Sequence, residues 1–166
     1  MRRTHVESLD DVDRKLLNLL QQDADLSLSA LGQRVNLSPS AVQRRIERLR
    51  SSHIIVKQVA VLSDAALPGA VRACVLVALE RESVKLHSGF RERICAAAEV
   101  QQCYDLSGAW DYLVIVVADG MSACRTVIER LFLEAPNIKR YDTHFVFESV
   151  KVGLGIPLRT ARRGRE

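Results

Sequence analysis

Residues 38–50, Ser-Pro-Ser-Ala-Val-Gln-Arg-Arg-Ile-Glu-Arg-Leu-Arg, gather side chains suited to reading a nucleic acid. Arginine can bond guanine O6 and N7 as a bidentate fork, and glutamine can do the same for adenine N6 and N7. The spacing predicts a helix from Ser38-Pro39 to about Arg50. Serine is a preferred N-cap, and proline suits the first helical position because its missing N–H would be unbonded there anyway. Val42, Ile46 and Leu49 form one narrow apolar stripe. At 100° per residue, Ser40, Arg44, Glu47 and Arg48 fall on the far side and Gln43 on its flank. Ser40, Gln43 and Arg44 are therefore the candidate base readers. Ser38, Arg45 and Arg48 are candidates to hold phosphate or to fix the helix, since a capped helix N-terminus also favours a phosphate.

Two shorter helices are expected to position this one. The first runs from about Asp10 to Gln22, capped by Asp10, with Asp11 and Asp13 placing negative charge in its first turn. The second covers about Leu28–Val35, capped by Ser27 and ended by Asn36, a residue tolerant of the left-handed conformation. Only Asn36 and Leu37 then precede the cap of the third helix, which is helix-turn-helix spacing. Charge supports the same reading. Ser38–Gln58 holds five bases against one acid, and Lys151–Glu166 again five against one, while the stretch between has nine bases and twelve acids. Clustered basic patches are the footprint of a phosphate-backbone binder. The tail from Arg159 to Arg165 is expected either to add affinity for DNA or to be a solvated end.

The stretch from Leu9 to Leu62 resembles the winged helix-turn-helix half of the Lrp/AsnC ("feast/famine") transcriptional regulators. The L-D-x-x-D opening, the L-S-P turn and the V-x-x-R-I-x-R-L helix stand in order, and the resemblance reaches from about Leu9 to Val152. One departure is His53, where the family usually has glycine after the recognition helix. Histidine is among the residues enriched at positive φ, so the helix cap can survive.

The remaining two thirds alternate strand and helix. Ile54–Leu62, rich in β-branched residues, is expected as a strand or wing, and Pro68-Gly69 marks a linker. Strands follow at Arg72–Glu80, Val100–Leu106, Asp111–Ala118 and Tyr141–Val152, with helices at Ser83–Glu99 and Ser122–Glu134. The fold class is α+β: an N-terminal winged helix-turn-helix joined to a C-terminal ferredoxin-like βαββαβ sandwich that dimerises through its sheet. The expected segments are 1–62 for DNA binding, 63–71 as linker, 72–152 for effector binding and oligomerisation, and 153–166 as a basic tail. Dimerisation follows from Tyr112–Ala118, which is apolar on both faces. A strand with one wet face should alternate, so a second copy is the economical cover.

The resemblance also implies that Leu106-Ser107-Gly108-Ala109-Trp110-Asp111-Tyr112 helps form a small-molecule pocket, usually for an amino acid, where dimers meet in tetramers or octamers. Gly108 allows close backbone approach, Asp111 can pair with an α-ammonium group, and Tyr112 can supply a wall or a hydroxyl. Met121 and Ser122, opening the next helix, are expected near it. The alternative is that Gly108 serves only the turn and Asp111 only caps it.

Other chemistry finds little support. No catalytic residue, metal ligand or cofactor is expected: the four histidines are scattered, no G-x-S-x-G or phosphate loop appears, and Cys74, Cys95, Cys103 and Cys124 form no C-x-x-C pair. With no apolar run near 20 residues and no signal peptide, a cytoplasmic, membrane-free protein is expected. Its expected partners are double-stranded DNA, further copies of itself and a small effector, most simply an amino acid. Two alternatives remain: a siroheme-decarboxylase-like enzyme on the same layout, and an effector-independent or architectural DNA-binding protein.

Overall fold

The computed structural model describes residues 8–81 and 83–160. These form two compact units. One comprises the chain up to Ala60 together with the chain from Lys151 onward; the other is Val61–Val150.

The first unit is built on three helices. Helix α1 (Asp11–Gln22) opens with a capping box, in which the Asp10 carboxylate accepts from Asp13 N–H and the Asp13 carboxylate accepts from Asp10 N–H. Ser27 caps α2 (Leu28–Val35), and Asn36 ends it in the left-handed region at φ 56°. Ser38 caps α3 (Pro39–Ser51), with Pro39 in its first turn. Leu16, Leu31, Val35, Val42 and Ile46 bury into one core between the three. The turn from α2 to α3 is tight. Leu37 N–H donates to Gly32 O at 2.9 Å, and a Cβ on Gly32 would stand 2.4 Å from the Leu37 carbonyl oxygen.

The family's usual glycine is not needed after α3. His53 takes the left-handed conformation at φ 59°. His53 N–H donates to Arg50 O and Ile54 N–H to Leu49 O, which is the Schellman pattern a glycine would form.

The second unit is a four-stranded antiparallel sheet with the order β2-β3-β1-β4. Its strands are β1 (Ala70–Leu79), β2 (Val100–Asp105), β3 (Tyr112–Asp119) and β4 (Ile138–Phe145). Helix α4 (Val84–Ala96) follows β1, and helix α5 (Gly120–Ile128) follows β3 and runs on into a π-helical turn, Glu129–Leu133. Val75, Val77, Tyr112, Val114 and Val116 face the helices and bury against Phe90, Ile94, Cys124, Leu131 and Phe132. The opposite face presents Cys74, Leu76, Leu113, Ile115 and Val117, each only half-buried. Both faces of β3 are thus apolar. The connectivity and strand order are those of the expected ferredoxin-like sandwich.

Three expectations need correction. Residues 54–62 form no strand, and so no wing. Ile55 packs against the helical core, while Val56, Val59, Val61 and Leu62 lie exposed. β-Branched residues favour a strand only when another strand pairs with them, and this run has no paired strand among the described residues. The last strand spans Ile138–Phe145 rather than Tyr141–Val152. Its ladder runs along β1 until Phe145 faces Ala73 and Val146 N–H reaches Arg72 O, near the start of β1. Helix α4 ends at Ala96, because Ala97 is already extended at ψ 116°.

Candidate nucleic-acid interface and ligand hairpin

The polar edge of α3 divides into engaged and unengaged side chains. Arg45 Nη1 donates to Asp10 Oδ2 at 2.7 Å and to Asp13 Oδ1 at 2.8 Å, and Arg48 Nη2 donates to Asp13 Oδ2 at 2.5 Å. Asp13 is 0 % exposed. A carboxylate with no water around it requires such partners, since an unpaired buried charge costs several kcal/mol. Burial works to raise the Asp10 pKa, but the Asp13 N–H and the Arg45 guanidinium outweigh it and hold the carboxyl below its ordinary value. The same pairing, with Asp10 first and then Asp13, raises that of Arg45. Arg45 and Arg48 therefore clamp α3 onto the start of α1.

Arg44 differs. It is exposed and has no hydrogen-bond or ion-pair partner among the described residues. It lines an open depression of about 430 Å³ with Asp10, Leu37, Ala41, Arg45 and Arg48. Ser40 and Gln43 are exposed on the same helix. Ser40 Oγ lies 3.1 Å from Ser38 Oγ, and Gln43 Nε2 donates to Glu47 Oε1 at 2.9 Å. Ser38 Oγ accepts from Ala41 N–H at 3.3 Å, so its hydroxyl serves the cap. The sequence reading missed Asp13 as an anchor, although the signal was there. Asp13 stands three residues before Leu16 and seven before Leu20, on the stripe α1 buries.

In the second unit, residues 106–111 form the hairpin between β2 and β3. Leu106 N–H donates to Asp111 O at 2.8 Å and closes the loop. Gly108 sits exposed at φ 122°, with nothing within 4 Å of where a Cβ would be. Asp111 Oδ2 accepts from Leu79 N–H at 2.6 Å, and Asp111 N–H donates to Val77 O, so this residue fastens the hairpin to the end of β1. Trp110 lies against the Arg140 guanidinium, 4.4 Å from ring centroid to Cζ. Tyr112 is 1 % exposed and stacks on Phe90. Its hydroxyl lies 2.6 Å from His87 Nδ1 and 3.2 Å from Arg91 Nε. Burial raises the Tyr112 pKa against the opposing pull of Arg91. Arg91 is also paired with Asp105 on β2. This polar chain joins residues of three successive elements, α4, β2 and β3, and no sequence spacing signals it.

Met121 and Ser122 are exposed near the start of α5. They sit beyond the far end of β3 from the hairpin, about 23 Å away at the usual rise per strand residue. One chain therefore does not bring them to Gly108 and Asp111.

Comparisons with known proteins converge. The AsnC-type helix-turn-helix domain matches residues 9–50, and the Lrp/AsnC ligand binding domain matches residues 72–155. The DNA-binding transcriptional activator DecR of Escherichia coli is 31% identical over 150 residues, covering 90% of this chain and 99% of DecR. The leucine-responsive regulatory protein of Klebsiella pneumoniae is 30% identical, over 93% of this chain and 94% of that protein. The crystal structure of a Neisseria meningitidis transcriptional regulator in complex with L-Met superposes with a TM-score of 0.83 at 28% identity, covering 91% of this chain and 97% of that one.

Proposed function

The chain belongs to the Lrp/AsnC family of DNA-binding transcriptional regulators, and we propose that Arg44, Ser40 and Gln43 of α3 read base edges while Arg45 and Arg48 hold the helix in place. The observation carrying this reading is the division of labour among the arginines. Two are bonded to Asp10 and Asp13, whereas Arg44 stands exposed beside them with its five N–H donors available.

The second unit would assemble copies and take a small effector. Half-buried Cys74, Leu76, Leu113, Ile115 and Val117 supply an apolar sheet face suited to a second copy. A dimer would place two copies of α3 in successive major grooves of a near-palindromic site. The effector reading centres on the Gly108 hairpin. An amino acid is the favoured class, supported by the L-Met bound to the Neisseria regulator. Asp111 Oδ2 is occupied by Leu79 N–H, which leaves Oδ1 to meet an ammonium group. A pocket that also uses Met121 and Ser122 would draw them from a neighbouring copy. The ligand would act by binding one assembly state better than another. As a regulator of transcription the protein would work in the cytoplasm.

Footprinting on duplexes selected by the protein from a random pool tests this reading, run with and without each of the twenty amino acids. Two protected patches about one helical turn apart are expected, together with a change in extent or affinity with at least one amino acid. A single isolated patch contradicts the paired reading. Footprints indifferent to every amino acid contradict the effector reading and favour an effector-independent regulator.

A further inference from the structure

The helix-turn-helix unit carries a second recess, of about 280 Å³, on the opposite edge of α3 from the Arg44 depression. Its floor is the margin of the helical core. Leu20, Leu26 and Leu28 lie half-buried there, over the buried Leu31 and Ile46. Its rim is polar: Gln43, Glu47 and Arg50 of α3, with Gln58 from the chain beyond, all exposed.

The rim holds one acid and one base that do not pair. Glu47 and Arg50 stand three apart on α3, where side chains lie about 5–6 Å from each other and can form an ion pair. Instead, Gln43 Nε2 donates to Glu47 Oε1 at 2.9 Å, and Arg50 Nη2 donates to Gln58 Oε1 at 2.6 Å. Among the described residues neither charge has an oppositely charged partner. The two glutamines keep acid and base apart, and leave Glu47 Oε2 and the other Arg50 donors for a ligand.

An apolar floor below a separated carboxylate and guanidinium complements a small zwitterion with an apolar side chain. Its ammonium would meet Glu47 and its carboxylate Arg50, both through charge-assisted hydrogen bonds. A plain carboxylic acid would leave Glu47 unmatched, and a plain amine would leave Arg50 unmatched. The recess has the liquid volume of about nine water molecules, the scale of an aliphatic or thioether amino acid. We propose that it is an amino acid site in the DNA-binding unit, separate from the Gly108 hairpin. Its ligand would act on α3 directly: an ammonium at Glu47 competes with Gln43 Nε2 for the carboxylate, and so changes the partner of a base-reading side chain without any change of assembly. That consequence rests on the base-reading proposal. The site does not, and its test needs no DNA.

Methyl NMR of the full chain tests it, in titrations with L-valine, L-leucine and L-methionine. Each is compared with the matching acid that lacks the amino group and the matching amine that lacks the carboxylate. At least one amino acid should give saturable shifts at the Leu26, Leu28 and Ile46 methyls, with both of its half-ligands at least about tenfold weaker. Glu47→Gln should erase the amino acid's advantage over the acid, and Arg50→Gln its advantage over the amine, with melting unchanged in both. A merely structural effect would weaken all three ligands alike, and would overturn the assignment of the rim. Shifts confined to Leu106 and Leu113 beside the hairpin would overturn this site and leave the hairpin reading standing. Silence at both sets of methyls would count against this site and the effector reading together. Recess shifts that neither substitution alters would overturn the zwitterion match.

Discussion

Asp13→Ala should destabilise the helix-turn-helix unit by about 2–3 kcal/mol. The carboxylate is fully buried and bonded to Arg45, Arg48 and the Asp10 N–H. Removing one partner of a buried ion pair commonly costs about 3–5 kcal/mol because a charge is left without compensation. Here the loss should fall below that range. Arg45 keeps Asp10, and the Arg45 and Arg48 side chains are 29% and 38% exposed, so both can be hydrated. In a unit this small, about 2–3 kcal/mol is a large share of the total stability, on the order of 10–20 °C in Tm. Asp13→Asn keeps the shape and one acceptor oxygen, so it should cost less and isolate the contribution of charge. Urea unfolding followed by amide signals of α1 and α3 measures both, separately from the sheet unit. Asp13→Ala unfolding within about 0.5 kcal/mol of the parent would mean that the clamp contributes nothing to holding α3.

Gly32→Ala should act on the turn rather than on charge, at a cost of about 1–3 kcal/mol. Alanine ordinarily improves a helix by up to about 1 kcal/mol over glycine. At this position the added methyl would meet the Leu37 carbonyl oxygen at 2.4 Å. That oxygen belongs to the main chain, in a residue whose own N–H is bonded to Gly32 O, so neither group can yield without opening the turn. Since the turn sets the angle between α2 and α3, DNA affinity should fall along with stability. Gly89→Ala is the control: it lies in α4 with nothing within 4 Å of its Cβ position, and should be neutral or stabilising. Thermal melts of the two variants check the contrast, and equal stability of Gly32→Ala and the parent would contradict it.

Much of the fold was legible because local chemistry agreed with the final structure. Ser27, Ser38 and Pro39 mark helix starts by what their side chains or missing N–H groups can do, and the structure places them there. Asn36 and His53 mark helix ends because both types tolerate positive φ. The failures depended on partners. Residues 54–62 have strand composition without a paired strand among the described residues, and β4 pairs with β1 only as far as Phe145 opposite Ala73, a limit no property of residues 146–152 sets. The ligand hairpin was visible as a motif, but the bond from Leu79 N–H to Asp111 is a consequence of strand register. The distance of Met121 from the hairpin needed only the eight-residue length of β3 to foresee. For the arginines, the sequence placed five basic residues near α3 and left open whether each bonds DNA or the protein. Only the burial of Asp13 separates them.

The most direct test of that separation compares Arg44→Ala with the parent on a selected duplex and on an unrelated one at the same salt concentration. Arg44→Ala should unfold like the parent, since the residue bonds nothing among the described residues, and should lose about 1–3 kcal/mol of affinity on the selected duplex. Its loss on the unrelated duplex should be smaller, so that the ratio between the two narrows. A ratio left unchanged, with α3 still folded, would contradict the assignment of Arg44 as a base reader.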